Sequence, residues 1–422
     1  MKLNTQSQKS KIWYGWIVLS VVYFVMLSLI GTRSSFGFFF KQISNEFSWT
    51  RAETAGAFSI GMLAQSVFSL FSGWISDRLS IRLTMSAGIT IFGFSLLLGS
   101  QINSLTFFYL TYFLMNIGFA SSTWVAQVPT LSNWFIRKRG LALGISTSAQ
   151  GTGYILNFFT PILIISLGWR ISYIFFGILI LFFTLPFAAI FHRDKPEQKN
   201  TIPDEPFLKN ENLSLENEEK ISKNNSSIPQ RFFSFHFFLF ITLFLPIAYV
   251  FTVLLVHFPA HLTDQGITES SSAGIFAIWG AFLIAGHLIS SISDYVGRTP
   301  IFLAGSLLGS ISMFLIGKYE SSFSLWIIYI LTMLIGVALG LMRSTASAIM
   351  ADHFSGKGFG KTNGIAMCLF AFFGGFGAWV TGFLYDLHSN YFLGFSIAAI
   401  SLLISGVSSI FLSIQESNKQ FT

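Results

Sequence analysis

The sequence predicts an all-α membrane protein of twelve transmembrane helices, arranged as two six-helix bundles related by a pseudo-two-fold axis. The first observation is composition, because the chain is 52% hydrophobic and 10% charged, with a mean hydropathy of +0.64. A soluble protein carries roughly 25% charged residues, so this chain could not cover a surface that faces water. The second is length, since 422 residues accommodate twelve helices of about 20 residues each. The third is that the two halves of the sequence resemble each other.

Twelve apolar runs give the positions of the predicted helices. They lie at residues 13–40, 54–76, 81–100, 105–130, 141–166, 170–191, 232–259, 271–293, 299–317, 323–350, 359–384 and 391–413. Between the sixth and seventh runs the chain is rich in charged residues, Asn, Ser and Pro, a composition that cannot bury a core. We therefore predict an N-terminal six-helix bundle at 1–191, a cytoplasmic linker at 192–231 and a C-terminal six-helix bundle at 232–422.

Lys and Arg residues are concentrated on one side of the predicted membrane. That side holds both termini, the linker and basic loops such as 137–139, whereas the other side receives only Lys41, Arg51, Arg170 and Lys318. Loops rich in Lys and Arg remain cytoplasmic, so both termini and the linker are predicted to be cytoplasmic. The net charge of +7 is thus a signal of topology, and we predict no nucleic-acid partner.

An internal repeat relates the two halves. Four landmarks recur in the same order after about 217–220 residues, which is typical of duplicated transporter halves. The matched pairs are Ala55 with Ala273, Asp77 with Asp294, Phe135 with Phe354, and Gly144 with Gly364. Two parallel repeats around a central cavity predict alternating access, with a substrate site at the bundle interface near the middle of the membrane.

Two copies of one loop motif support this architecture. The sequence reads GWISDRLSIR at residues 73–82 and SSISDYVGR at residues 290–298. Both resemble the G-x-x-x-D-R-x-G-R loop of the major facilitator superfamily. An acid at a cytoplasmic helix end can pair with a cation in one conformation and separate in another, whereas the simpler interpretation is a solvated turn. Two copies in register favour a gate latch, for which the candidates are Asp77, Arg78, Arg82, Asp294 and Arg298.

A narrower resemblance concerns the fifth run. The segment NWFIRKRGLALGISTSAQGTG at 133–153, with WYGWIVLSVVYF at 13–24, is similar to monocarboxylate transporters and their bacterial oxalate/formate-antiporter relatives. The resemblance implies proton-linked or exchange transport of small organic anions in a bacterial inner membrane. The Asp and Arg pair of monocarboxylate transporters is missing from run eight, where Gly286 replaces the Arg. The adjacent His287 is a proton-coupling candidate, although a His satisfied by a neighbouring helix is the simpler interpretation.

Two arginines lie inside the predicted membrane spans. An intramembrane Arg costs about 2.5–3.5 kcal/mol on insertion scales, which makes Arg343 and Arg33 functional candidates. Arg33 has an alternative, because its long side chain could extend along the helix to the outer water. No Asp or Glu lies near the middle of a run, so the two cations favour an anionic substrate. Candidate cavity-lining residues are Asn116, Trp124, Gln127, Asn157, Tyr249 and Trp279, and the repeat matches Trp124 with Arg343.

We therefore predict a secondary active or facilitative transporter of a small, monocarboxylate-like organic anion, acting as a monomer in the lipid bilayer, with protons as a candidate coupling ion. One alternative is a larger cargo, such as a siderophore or drug-like molecule, in a roomier aromatic cavity. Another is a transporter-like sensor that binds a ligand without moving it, although two latch copies favour transport. The sequence contains no recognisable nucleotide cradle, metal cluster or nucleophile arrangement, so neither enzymatic activity nor a cofactor or metal is predicted.

Overall fold

The computed structural model describes residues 13–199, 201–204, 235–320, 322–354 and 359–420. Within these ranges, side chains are described for all residues except 72–74, 76–77, 125, 359–361 and 415–420.

The described chain is built from α-helices. Their bounds are α1 Tyr14–Ser34, α2 Phe36–Phe47, α3 Arg51–Arg78, α4 Ile81–Gly99, α5 Leu105–Ser122, α6 Trp124–Trp134, α7 Arg139–Leu156, α8 Thr160–Leu167, α9 Trp169–Leu179, α10 Leu185–Phe191, α11 Phe235–Asp264, α12 Glu269–Ile289, α13 Ser293–Val296, α14 Arg298–Gly317, α15 Leu325–Phe354, α16 Phe359–His388 and α17 Phe392–Gln420. In these residues, eleven stretches are long and apolar enough to cross a membrane. The predicted all-α membrane fold is confirmed.

Several membrane spans consist of more than one helix. The predicted run at 105–130 corresponds to α5 and α6, which are separated by Thr123 with the non-helical angles φ −105° and ψ −113°. The fifth span is interrupted by a 3₁₀ turn at Asn157–Phe159, directly before Pro161 of α8. Proline has no backbone N–H to continue a helical ladder, so it is tolerated where a new helix begins.

Helices α1–α10 form the N-terminal bundle and α11–α17 form the C-terminal bundle. We call the face where α1 begins and α17 ends the terminal face, and the other the opposite face. Glycines allow helix backbones to approach closely within a bundle. A Cβ placed on Gly153 of α7 would lie 3.0 Å from the backbone nitrogen of Gly31 in α1. Such small residues at helix contacts are typical of membrane bundles.

One face of α7 shows how the two bundles are arranged. Gly140, Gly144 and Gly151 lie on this face, because spacings of four and seven residues return to the same side of a helix. A Cβ on Gly151 would lie 2.7 Å from the carbonyl oxygen of Gly280 in α12, whereas a Cβ on Gly140 or Gly144 would meet no atom within 4 Å. Helices α7 and α12 are therefore in contact beyond the middle of α7 and diverge from there toward the terminal face. Helices α3 and α16 stay in contact further along, where Ser66 Oγ donates to the Cys368 carbonyl oxygen at 3.0 Å.

This asymmetry predicts different effects for two alanine substitutions. Gly280→Ala places a methyl group against the backbone of the other bundle, at 2.7 Å from the Gly151 carbonyl oxygen. Overpacking of this kind costs about 1–3 kcal/mol, so the melting temperature of the purified protein should fall by several degrees. Gly144→Ala is the matched control, because its methyl group enters open space and should leave the melting temperature unchanged. Equal effects of the two substitutions would contradict the described divergence of α7 and α12.

The first part of the predicted linker packs against the N-terminal bundle. The Asp204 carboxylate accepts hydrogen bonds from the backbone N–H groups of Ile136, Arg137 (3.2 Å) and Lys138 (2.8 Å), just before α7. The Trp13 indole N–H donates to the carbonyl oxygen of Ile202 at 3.2 Å. Residues 192–199 and 201–204 thus follow the terminal face of this bundle. The rest of the predicted linker lies outside the described residues, and the domain boundaries at 191 and 231 stay predictions.

Asp194 attaches the same segment to α4. Its carboxylate accepts the backbone N–H of Arg82 at 2.9 Å and lies 3.4 Å from His192 Nε2. Burial raises the pKa of Asp194, but the hydrogen bonds from His192 and from the start of α4 outweigh burial and hold this pKa below its ordinary value. The attachment is therefore strongest with Asp194 ionised, and it weakens as the pH falls through this lowered pKa.

Candidate functional site

The two intramembrane arginines come from different bundles, and both are close enough to one tyrosine to interact with it electrostatically. Arg33 lies in α1 and Arg343 in α15, and both interact electrostatically with Tyr154 of α7. Tyr154 stacks on Trp279 of α12, with ring centres 4.8 Å apart and an interplanar angle of 12°. Because α7 and α12 belong to different bundles, this group of residues lies at the bundle interface.

Arg343 rests on aromatic faces. Its Cζ lies 4.8 Å from the ring centre of Phe370, 5.6 Å from that of Phe251 and 5.9 Å from that of Trp124. Phe251 and Phe370 belong to the C-terminal bundle, and Trp124 belongs to the N-terminal bundle. Among the described side chains, none forms a hydrogen bond or ion pair with this partly exposed guanidinium. Its N–H donors are therefore available to a ligand.

Arg33 is held within the N-terminal bundle. One terminal nitrogen donates to Gln65 Oε1 at 2.7 Å, and the Cζ lies 4.3 Å from the ring centre of Phe119 and 5.2 Å from that of Phe58. Its Nε is buried without a hydrogen-bond partner among the described residues. These contacts are with α3 and α5, so the side chain does not extend along α1 to the outer water.

Aromatic rings connect Arg343 to Tyr154. We call Trp124, Phe251, Phe370, Trp279 and Tyr154 the aromatic wall. Within it, the ring centres of Phe251 and Trp279 are 5.8 Å apart. The indole N–H of Trp279 is buried and has no hydrogen-bond partner among the described residues. The wall therefore contains one unused donor besides the guanidinium, although Trp279 itself is fully buried.

Four other predicted lining residues have partners inside their own bundles. The hydrogen bonds are Asn116 Nδ2 to the Tyr112 carbonyl (2.9 Å), Gln127 Nε2 to Ser146 Oγ, Asn157 Nδ2 to Ser34 Oγ (2.6 Å), and Tyr249 OH with Thr381 Oγ1 (3.2 Å). All four side chains are buried. The structure thus groups Arg343 with Trp124, and Trp279 with Tyr154, whereas the amide and hydroxyl groups of these four residues are hydrogen-bonded within their own bundles. Their role in substrate binding stays a prediction.

His287 lies beside the site on α12. Its Nδ1 is 2.7 Å from Ser344 Oγ, and the imidazole is in electrostatic contact with Arg343. The hydrogen bond to Ser344 agrees with the simpler interpretation, a His satisfied by a neighbouring helix. Its role in proton coupling stays a prediction.

The second copy of the loop motif forms an ion-pair cluster within the C-terminal bundle. Arg298 pairs with Asp294 at the preceding turn and with Asp352 of α15, where Nε and Oδ2 are 3.2 Å apart. All three side chains lie at the terminal face. In this conformation the cluster joins α13, α14 and α15 of the C-terminal bundle.

The first copy is arranged differently. The Arg82 Nε donates to the carbonyl oxygen of Ala189 at 2.8 Å, which ties α4 to α10 within the N-terminal bundle. Arg78 is exposed, and the side chain of Asp77 lies outside the described side chains. The role of both copies as a latch between conformations stays a prediction.

A cluster of charges that sequence reasoning missed joins the bundles at the opposite face. We call Lys41, Arg51, Asp264 and Asp386 the clasp. The Asp264 carboxylate of α11 pairs with Lys41 Nζ at 2.7 Å and with the Arg51 guanidinium at 3.0 Å. Lys41 and Arg51 belong to the N-terminal bundle, so both ion pairs cross the interface.

Asp386 completes the clasp at the start of α3. Its two carboxylate oxygens accept the backbone N–H groups of Arg51 and Ala52, each at 2.8 Å. These N–H groups have no partner inside the helix, and a negative charge is stabilised at a helix N-terminus. The acid of one bundle therefore caps a helix of the other. The sequence signal was present, because Lys41 and Arg51 are two of the few cations on that side, but it does not reveal the pairing.

The protein consists of two helical bundles with a cationic site between them, and the clasp closes the bundles at one face. This arrangement is that of a multi-pass membrane protein of the two-bundle transporter class. Comparison with known families agrees, because the profile of the Major Facilitator Superfamily matches residues 22–292 and 283–421. The chain belongs to the Major Facilitator Superfamily and is a membrane transporter. The predicted resemblance is confirmed.

Several relatives match most of the chain. The uncharacterized MFS-type transporter YcxA of Bacillus subtilis (strain 168) is 24% identical over 94% of this chain and 93% of its own. Monocarboxylate transporter 13 of Bos taurus is 24% identical over 93% and 88%, and the glucose-6-phosphate exchanger SLC37A2 of Xenopus tropicalis is 26% identical over 71% and 67%. A solved bacterial homolog of the human lysosomal transporter Spinster, described as inward-facing and occupied, matches with a TM-score of 0.69 and 15% identity over 96% and 97%.

Proposed function

We propose that this transporter moves a small organic anion across a bacterial inner membrane by alternating access, and that Arg343 binds the anionic group. The main support for an anionic substrate is the environment of the Arg343 guanidinium. It lies on three aromatic rings and has no acidic partner among the described residues. A planar guanidinium presents paired N–H donors that match a carboxylate.

Electrostatics favours an anion over a neutral or cationic substrate. A charge removed from water is stabilised by an opposite charge, and the described neighbours of Arg343 supply ring faces but no carboxylate. Arg33 adds a second positive charge near Tyr154, on the other side of the bundle interface. An anion at Arg343 would therefore be attracted to both bundles, which links substrate binding to their closure.

The clasp at one face, and the divergence of α7 and α12 toward the other, fit one conformation of an alternating-access cycle. We propose that both termini are cytoplasmic, as the loop charges predict, so that the described conformation is closed to the outside and open to the cytoplasm. Two of the relatives, monocarboxylate transporter 13 and the glucose-6-phosphate exchanger, are named for anionic substrates. Their names support the proposal of an anionic substrate. Exchange, or proton linkage through His287, is the proposed coupling, with the monomer as the transporting unit.

A matched pair of ligands tests the proposed substrate charge. A carboxylate and the corresponding primary amide have nearly the same shape, but only the carboxylate is charged at neutral pH. Benzoate and lactate should raise the melting temperature of the purified protein, whereas benzamide and lactamide should not. Equal shifts from acid and amide, or no shift from any acid, would overturn the proposal.

A further inference from the structure

The rings beside the anion-binding guanidinium differ in exposure, because Trp124 and Phe370 are partly exposed whereas Phe251, Trp279 and Tyr154 are buried. The buried rings pack on one another, with ring centres 5.8 Å apart for Phe251 and Trp279 and 4.8 Å apart for Trp279 and Tyr154. Phe370 and Trp124 flank the same guanidinium from opposite bundles. A ligand whose anionic group is bound by Arg343 therefore has its body next to Trp124 and Phe370, the partly exposed members of the aromatic wall.

Polar side chains next to this wall are already paired with each other. Gln150 Nε2 donates to the Tyr154 hydroxyl at 2.8 Å, and His287 pairs with Ser344. The indole N–H of Trp279 is unpaired, but an indole is a donor only. A hydroxyl group on the ligand body could accept a hydrogen bond, but its own O–H would compete for acceptors that are already used, and a polar group buried without a partner is unfavourable.

Resting on the proposed function, we infer that the transported anion carries a planar aromatic body, so that its class is the aryl carboxylates and not the small hydrophilic acids. Its carboxylate pairs with Arg343 and its ring lies against the aromatic wall. Ring-on-ring contacts are favourable beyond the area that they bury, and an aliphatic or hydroxylated body does not make them.

The test compares benzoate with cyclohexanecarboxylate in titrations of the purified protein. The two acids have the same charge and nearly the same size, but only benzoate is flat and aromatic. Benzoate should bind about ten-fold more tightly, the equivalent of one favourable ring–ring contact. Lactate, which carries a hydroxyl group and no ring, should bind more weakly than either.

Two variants test whether the preference for benzoate over cyclohexanecarboxylate depends on the aromatic wall. Trp124→Leu should reduce the preference for benzoate at least three-fold, since it removes a ring next to Arg343. Trp326→Leu is the matched control, because Trp326 is 74% exposed on α15 and lies outside the wall, and it should keep the preference.

The outcomes separate the inference from the proposed function. Equal affinities for benzoate and cyclohexanecarboxylate, with no binding of the amides, would overturn the inference and leave an anion transporter. An unchanged preference in Trp124→Leu would also overturn the inference, because the ring contacts would then lie elsewhere. Absence of binding by every acid would overturn both proposals.

Discussion

Replacing Arg51 with Gln is expected to open the bundles at the opposite face. The Arg51 guanidinium donates two hydrogen bonds to Asp264 across the interface, at 3.0 Å and 3.2 Å, and its side chain is only 11% exposed. Loss of a charged hydrogen bond costs about 1.5–3 kcal/mol. This energy stabilises only the conformation in which the clasp is closed, so the ratio of open to closed molecules should rise about ten- to hundred-fold.

Spin-label distances measure this shift. Labels at Asn103 and Ser322, in exposed loops of the two bundles at the opposite face, should show a longer distance population in Arg51→Gln, in a Cys368→Ser background. Arg170→Gln is the matched control, because the Arg170–Glu46 ion pair lies at the same face but within the N-terminal bundle. An unchanged distance distribution in Arg51→Gln would contradict a role of the clasp in holding the bundles together.

Arg343→Gln is expected to reduce anion affinity about ten- to hundred-fold, the equivalent of about 1.5–3 kcal/mol for a charged hydrogen bond. Arg343→Lys should also weaken binding, because an ammonium retains the charge but not the forked donor geometry. The melting temperature without ligand should stay unchanged or rise in Arg343→Gln, since the substitution removes a charge that has no acidic partner among the described side chains. Titration with benzoate and ligand-free melting curves measure the two effects.

Lys318→Gln is the control for Arg343. Lys318 also lies over aromatic rings, with its Nζ 4.9 Å from the ring centre of Phe314, but it is at the opposite face and far from the wall in sequence and position. The Lys318→Gln variant should bind the anion with the same affinity as the wild-type protein. A lowered ligand-free melting temperature of Arg343→Gln with unchanged anion affinity would make Arg343 a structural residue.

Features set by hydrophobicity and repetition are predictable from this sequence. Run length and composition predicted the all-α membrane fold, because a bilayer requires long apolar helices. The cost of an intramembrane charge singled out Arg343, and the repeat drew attention to Trp124, which lies 5.9 Å from it. Backbone breaks were harder to anticipate, since Thr123 interrupts a continuous apolar run without a proline or glycine at the break.

Contacts between distant segments could not be predicted in the same way. Asp264 and Arg51 are far apart in the sequence, and hydropathy does not specify which helix ends become neighbours. The same holds for Asp204, whose carboxylate binds backbone N–H groups just before α7 although it belongs to a segment with the composition of a flexible linker. Asn116 and Asn157 have the polarity expected of a substrate site, but hydrogen bonds to Tyr112 and Ser34 place both inside one bundle.

Counterflow in proteoliposomes tests the central claim, that the site at Arg343 carries an organic anion from one side of the membrane to the other. Vesicles loaded with unlabelled benzoate and diluted into labelled benzoate should accumulate label transiently with the wild-type protein. Arg343→Gln vesicles should show little accumulation above protein-free vesicles, and Lys318→Gln vesicles should match the wild type. Equal accumulation by wild type and Arg343→Gln would contradict the account.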